Sequence, residues 1–209
     1  KLGAESTGVY VFALSTAQLF SIALDIGFSN LVVRETARDV QKGWEYLRHA
    51  FAAKFLLTLA SVGVLVALVF TSGVPVDSRL LAIAFTSVAV ESFQVLIYAY
   101  LRGRQLISYE AIALMIGQTI TTGVGLFVLW TSGSVELLLA AVLIGNTFHA
   151  LYSYILLRYW SGHWLVPRLN NRIIKTMMML AWPFALAAIF SKILSNTDTF
   201  LLGTFTSVA

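Results

Sequence analysis

Four ionisable residues lie well within long apolar segments, where they are the best candidates for binding charged ligands or ions: Asp25, Glu91, Lys192 and Asp198. A charge at mid-bilayer costs on the order of 3 kcal/mol to insert, so such residues usually mark a cavity, an ion path or a substrate site. We therefore predict that these side chains converge on a shared aqueous cleft within a membrane protein.

Polar residues form one stripe along each apolar segment when the segment is placed on a helix. In the third segment, steps of four, three, four and four residues align Ser87, Glu91, Gln94, Tyr98 and Arg102. In the sixth and most polar segment, the stripe includes Lys192, Asn196 and Asp198. The serine, threonine and glycine positions of these stripes are also typical of close helix packing.

Six apolar segments position these residues, and each is long enough to cross a bilayer as a helix: Val9–Val33, His49–Phe70, Leu80–Leu101, Ala111–Trp130, Leu137–Leu157 and Thr176–Leu202. Hydrophobic residues make up 58% of the 209 residues and charged residues 11%, and the mean hydropathy is +0.83. The predicted fold class is all-α, a polytopic membrane helix bundle.

Basic residues indicate the orientation of these helices. Ten of the fourteen lysines and arginines lie in the connections after the first, third and fifth segments. The positive-inside rule places these connections on the cytoplasmic side, which explains the net charge of +4 without nucleic acid. All five tryptophans fall at or near predicted helix ends, as expected of rings at the membrane interface. The absence of cysteine excludes disulfides and cysteine-ligated metal sites within the chain.

Three further basic residues are candidates for a cavity or for the membrane interface. Lys54 lies barely two turns from the predicted helix start, so we expect its long stem to extend to the interface. Arg34 and Arg38 are four residues apart at the cytoplasmic end of the first helix, where they could hold a phosphate or lie among lipid headgroups. His149 could relay a proton, although a lone helix histidine is more typical of hydrogen-bonded packing.

Several short motifs resemble one family of membrane transporters. The motifs are LGAESTGVY at residues 2–10, DIGFS at 25–29, VRETAR at 33–38, and Asp198 with LLG at 201–203. Together they resemble the Wzx-type flippases of polysaccharide biosynthesis, within the multidrug/oligosaccharidyl-lipid/polysaccharide exporter superfamily. The resemblance covers the whole chain and implies a fourteen-helix fold of two lobes. This chain would supply helices two to seven: residues 1–172 would form the N-terminal lobe without its first helix, and residues 173–209 would begin the C-terminal lobe.

The resemblance implies a transporter rather than an enzyme. Such proteins flip a polyprenyl-diphosphate-linked oligosaccharide, the repeat unit of a polysaccharide or O-antigen, across the cytoplasmic membrane by alternating access. The expected partners are that lipid-linked oligosaccharide, membrane lipids and polysaccharide assembly proteins, and the expected oligomeric state is a monomer. No metal or cofactor is expected, and a proton or sodium ion is the candidate coupling ion.

The residues supply candidate roles for that activity. Lys192 and Arg34 are the leading contacts for the diphosphate, because a cation's attraction is strengthened in a low-dielectric surround. Carboxylates could balance these cations or bind the coupling ion: Asp25, Glu91 and Asp198. Tyr98 could contact sugar rings, and the remaining candidate cavity residues are Arg38, Lys54 and Asn196.

Two other functions compete with this prediction. A multidrug or cation antiporter of the same superfamily would favour an acidic, aromatic cavity, whereas this chain places Lys192 in mid-segment and several arginines at the cytoplasmic mouth. A membrane-embedded glycan polymerase would present catalytic groups on a sizeable loop, yet the predicted outer connections are short and contain no phosphate-binding motif. A flippase is therefore the preferred function.

Overall fold

The computed structural model describes residues 3–72 and 77–206, without the side chains of residues 4, 5, 19, 22, 23, 68–72, 188, 189 and 191–206. All regular secondary structure in this part of the chain is helical. Seven helices follow one another: α1 (Ala4–Asp25), α2 (Phe28–Arg38), α3 (Val40–Ser72), α4 (Ser78–Gly103), α5 (Ile107–Thr131), α6 (Val135–Ser161) and α7 (Asn171–Thr206).

Four stretches among the described residues are long and apolar enough to cross a membrane: Val40–Ala67, Ser78–Gly103, Ile107–Thr131 and Val135–Ser161. They correspond to the second to fifth predicted segments, so the polytopic helical bundle is confirmed. The helix α7 covers the sixth predicted segment over its whole length. Membrane crossing by α1 and α7, and the fourteen-helix arrangement, stay predictions.

The prediction that the first segment, Val9–Val33, forms a single helix is wrong. The segment is broken after Asp25, where Ile26 and Gly27 have φ values of 34° and 76°. A left-handed residue ends one helix and re-aims the chain, and glycine adopts it without the steric cost of a Cβ atom. The carbonyl of Gly27 then accepts the first hydrogen bond of α2, from the amide of Leu31 at 3.1 Å.

The helix α7 packs directly against this break. A Cβ atom added to Gly27 would lie 2.8 Å from the carbonyl oxygen of Ala181 and 2.9 Å from the amide nitrogen of Ala185. Backbone therefore meets backbone at this crossing, and a larger side chain would separate the two helices.

The connections that are rich in basic residues meet at one end of the bundle, which we call the basic end. Arg104, just after α4, donates from Nη1 to the carbonyl of Trp160 in α6 at 2.6 Å. Arg48 of α3 donates from Nε to the carbonyl of Val166, between α6 and α7, at 2.8 Å. These bonds confirm the predicted gathering of the basic connections on one side, while the side of the membrane that they face stays a prediction.

The core lies around α4, which packs against α1, α2, α3 and α6. One buried cluster joins α2, α3, α4, α6 and α7 through Phe28, Leu47, Leu96, Leu157 and Met177. The helix α5 packs mainly on α6. Their close approach requires Gly117, because a Cβ atom there would overlap the ring of His149. The helices on either side of the break between α1 and α2 pack against α3, α4 and α7.

Candidate functional site

Asp25 and Lys54 form an ion pair that joins three helices. The Lys54 Nζ lies 3.1 Å from Oδ1 of Asp25 and donates a second hydrogen bond, of 2.6 Å, to the carbonyl of Ser92 in α4. The same carboxylate oxygen accepts a 2.7 Å hydrogen bond from the Ser29 hydroxyl in the first turn of α2. The last residue of α1 is thus fastened to α2 and α3, and through Lys54 to α4.

The expectation that Lys54 extends to the membrane interface is wrong. Its side chain is 0% exposed, and both of its described polar contacts are inside the bundle. The reason is that α3 begins at Val40 rather than at His49, which places Lys54 about four turns from the helix start. A lysine at that depth is stabilised by a counter-charge and a carbonyl rather than by water.

The two members of this pair differ in exposure. The Asp25 side chain is 34% exposed, whereas that of Lys54 is fully enclosed. The carboxylate is therefore the accessible member of the pair, and the lysine is reached only through protein.

Glu35 is the centre of a second charged cluster, which sequence analysis missed. Its side chain is 2% exposed. It accepts from Nη2 of Arg34 at 2.8 Å and from Nζ of Lys42 at 2.9 Å, and Nη1 of Arg38 lies 3.6 Å away. The cluster thus carries three cations around one carboxylate. The signal in the sequence was a single acidic residue, Glu35, between two arginines: Arg34 is its neighbour in the chain, and Arg38 lies about one helical turn further on.

These contacts hold the pKa of the Glu35 carboxyl below its usual range. The hydrogen bond from Lys42 is the largest cause, and the hydrogen bond and charge of Arg34 act in the same direction. Burial acts in the opposite direction, because it penalises a charged carboxylate. Glu35 is therefore ionised at neutral pH and neutralises one of its three basic neighbours.

Arg34 also connects α2 to α7. The centre of its guanidinium lies 5.4 Å from the ring centroid of Phe184, a cation–π contact. Arg38 is more open, with 69% of its side chain exposed. The structure thus brings the predicted residues Arg34 and Arg38 together at a shared carboxylate, and their contact with a phosphate stays a prediction.

The other predicted site residues are dispersed. Tyr98 is 2% exposed in the main core cluster, and its hydroxyl donates to the carbonyl of His149 at 3.4 Å, so in this structure its ring contacts protein and not a cavity. Glu91 is exposed on α4, next to Ser92. The side chains of Lys192, Asn196 and Asp198 lie outside the described residues. The shared cleft that would join them to Asp25 stays a prediction.

Two cavities open at the basic end. One of about 620 Å³ lies between α3, α4, α6 and the segment after α6, and its walls include Trp44, Arg48, Tyr100, Arg104, Trp160 and Trp164. The other, of about 730 Å³, is lined by charged residues of both signs: Lys42, Arg48, Arg168 and Arg172 with Asp39 and Glu45. Sequence analysis interpreted the tryptophans as interface anchors and did not predict that they form a cavity.

A comparison with known protein families identifies the chain over its whole length. A family model described as "Polysaccharide biosynthesis protein" matches residues 1–209. No curated protein and no solved structure matches the chain. The family match agrees with the apolar helices and with the motifs that resemble Wzx-type flippases. The chain is therefore a multi-pass membrane protein that belongs to the polysaccharide biosynthesis protein family.

Proposed function

We propose that this protein is a transporter that flips a polyprenyl-diphosphate-linked oligosaccharide across the cytoplasmic membrane by alternating access. The observation that carries the proposal is the family match over all 209 residues of a chain with at least four apolar spanning helices. A transporter of this kind has to bind an anionic headgroup inside a bundle whose outside faces lipid. Ionisable residues enclosed by helices are consistent with that task.

The break between α1 and α2 is the feature that best fits alternating access. Interrupted helices near a binding site are common in secondary transporters, where they place backbone and charge at bilayer depth. Here the break carries Asp25 and is covered by α7. In the proposed fourteen-helix fold, α7 is the first helix of the C-terminal lobe, so this crossing would be a contact between the two lobes.

The proposal assigns separate partners to the substrate and to the coupling ion. Arg34 and Lys192 are the proposed diphosphate contacts, with Arg38 nearer to the bulk solvent. Asp25, Glu91 and Asp198 are the proposed acceptors for a proton or a sodium ion. Tyr98 is buried, so we assign it to packing in this state, and Lys54 holds Asp25 in position.

The direct test is flipping of a fluorescent lipid-linked oligosaccharide by the protein in sealed vesicles, measured as loss of signal to an impermeant quencher. Lys192→Ala and Arg34→Ala should lower the flipping rate by tenfold or more. Lys175→Ala is the matched control, because it removes an exposed charge at the basic end. Unchanged flipping in both variants would remove them from the site. Efflux of ethidium without flipping would instead indicate a multidrug antiporter.

A further inference from the structure

The cavity of about 620 Å³ at the basic end has walls suited to a sugar. We call it the aromatic cavity. Trp44 packs edge-on against Tyr100, with ring centroids 5.6 Å apart, and lies 6.2 Å from the ring of His163. Trp160 and Trp164 complete the aromatic walls. Flat rings with polar edges are suited to a pyranose, which stacks its C–H face on a ring and directs its hydroxyls to neighbouring donors and acceptors.

The same cavity is positively charged. Arg48 and Arg104 line it, and no carboxylate does among the described residues. Each guanidinium uses one nitrogen for a backbone carbonyl, Val166 for Arg48 and Trp160 for Arg104. Because a guanidinium has five N–H donors in a fixed fork, each arginine retains donors for a phosphate oxygen.

Both arginines are held in place by those carbonyls, and Arg104 also by aromatic rings. The centre of the Arg104 guanidinium lies 5.9 Å from the Trp160 ring centroid and 6.0 Å from that of Tyr100. A fixed cation loses little side-chain entropy when it binds an anion. The walls therefore offer preorganised donors for a ligand that combines sugar and phosphate.

An apolar groove of about 390 Å³ lies beside the aromatic cavity. Its walls are Phe51, Ala52, Phe55, Leu56, Pro167 and Leu169. On α3 these residues follow Arg48 by one and two helical turns. In the segment after α6, Pro167 directly follows Val166, which lines the aromatic cavity. A charged, aromatic cavity is thus continued along the helix by an apolar groove, which matches an amphiphile with an anionic head and a hydrocarbon tail.

We propose that the aromatic cavity is a loading site that binds the phosphorylated sugar of a lipid-linked glycan at the membrane surface, with the start of its lipid tail in the apolar groove. This inference rests on the proposed function, because it names where the substrate is first held. The loading site is separate from the Asp25–Lys54 pair and from α7, since it is built by α3, α4, α6 and the segment before α7.

Binding of a short-chain lipid-linked oligosaccharide to the purified protein in detergent, followed by native mass spectrometry, tests the loading site without requiring transport. Arg104→Gln should raise the Kd by about tenfold, through loss of a charge-assisted hydrogen bond. Trp160→Phe should raise it by about threefold, because the smaller ring offers less stacking surface to the sugar. Arg172→Gln is the matched control: it removes the same charge at the same end of the bundle, outside the aromatic cavity.

Trp164→Ala provides a second test if Arg104→Gln does not fold, because Trp164 is exposed and its truncation empties no core. It should also raise the Kd. In the groove, Phe55→Ser should weaken binding of the lipid-linked oligosaccharide and leave binding of a water-soluble sugar diphosphate unchanged. Equal competition by the water-soluble sugar diphosphate would overturn the placement of the lipid tail.

Flipping rates separate this inference from the proposed function. If the loading site feeds a separate transport path, Arg104→Gln should raise the KM for flipping and leave the rate at saturating substrate within about twofold. If the wild-type protein flips the substrate, and neither Arg104→Gln nor Trp164→Ala changes the Kd or the KM, the loading site is overturned and the proposed function stands. A wild-type protein that binds the lipid-linked oligosaccharide but does not flip it would overturn the proposed function alone.

Discussion

Replacing either member of the Asp25–Lys54 pair should destabilise the protein, and the loss of the carboxylate should cost more. Asp25→Asn leaves a fully enclosed ammonium without its counter-charge. Removing one partner of a buried pair costs about 3 kcal/mol or more. Lys54→Met keeps most of the packing volume and leaves a carboxylate that is 34% exposed and still bonded to Ser29. We expect that change to cost about 1.5 kcal/mol, the value of one charged hydrogen bond.

The double variant Asp25→Asn/Lys54→Met distinguishes this reasoning from a general loss of packing. With both charges gone, its free energy of unfolding should lie within about 1.5 kcal/mol of the wild-type value, above that of Asp25→Asn alone. The measurement is reversible unfolding in mixed micelles by titration with dodecyl sulfate. Glu45→Gln and Lys175→Met, which alter exposed charges, are the controls. The reasoning is refuted if Asp25→Asn costs no more than Lys54→Met, or if the double variant is the least stable of the three.

Three further predictions concern close contacts and the second charged cluster. Gly27→Ala should lower the unfolding free energy by about 2 kcal/mol, because the new Cβ atom disfavours the positive φ and collides with the α7 backbone. Gly63→Ala is the control, since a Cβ atom there meets nothing within 4 Å. Equal melting temperatures of the two variants would contradict this prediction. Gly117→Ala should destabilise relative to Gly123→Ala, because only the former displaces an imidazole ring. The ion pairs of Glu35 should contribute their full stabilisation above about pH 4.5, and this stabilisation should be lost as the pH falls through the lowered pKa of Glu35. Melting curves taken from pH 7 to pH 3 measure this pH dependence, and Glu35→Gln should abolish it.

The sequence predicted the positions of the helices more accurately than the residues at which they begin. Long apolar segments identified α3 to α7, because nothing except a spanning or fully buried helix has that length and composition. The prediction for α3 started at His49, yet the helix begins at Val40. Polar residues at a membrane surface continue a helix as readily as apolar ones, since helix propensity does not follow hydropathy. That error is the reason why Lys54 was assigned to the interface.

The break at Gly27 could have been predicted from the sequence but was not. The motif Asp25-Ile26-Gly27 was used only as a family signature, although a glycine after a long helical pattern is a typical helix end. Apolar periodicity alone continues across it, because Phe28, Leu31 and Val32 are buried in α2 as they would be in an unbroken helix. The local backbone signal therefore determined the fold at this point, and the hydropathy signal did not.

The polar stripe of α4 shows how far a helical-wheel argument extends. Successive residues on a helix are about 100° apart, so Gln94 and Tyr98 fall within about 20° of the direction of Ser87, whereas Glu91 lies about 40° to one side. That offset does not explain their different exposure: Ser87, Gln94 and Tyr98 are buried and Glu91 is exposed, yet Ala84, about 60° to the same side, is buried as well. Which helix covers a stripe depends on tertiary packing, and the spacing of residues within one helix does not predict that packing.

The two charged clusters together hold α2 against α3 at both of its ends. The pair between Asp25 and Lys54 lies at the start of α2, and the bond between Glu35 and Lys42 lies near its end. Beside the second cluster, Thr36 fits into a gap that only the absence of a Cβ atom on Gly43 and Gly103 leaves open. Straightening α1 and α2 into one helix would require breaking both ion pairs. The break is thus a fixed part of this unit, and movement of α7 has to occur across its contact with Gly27.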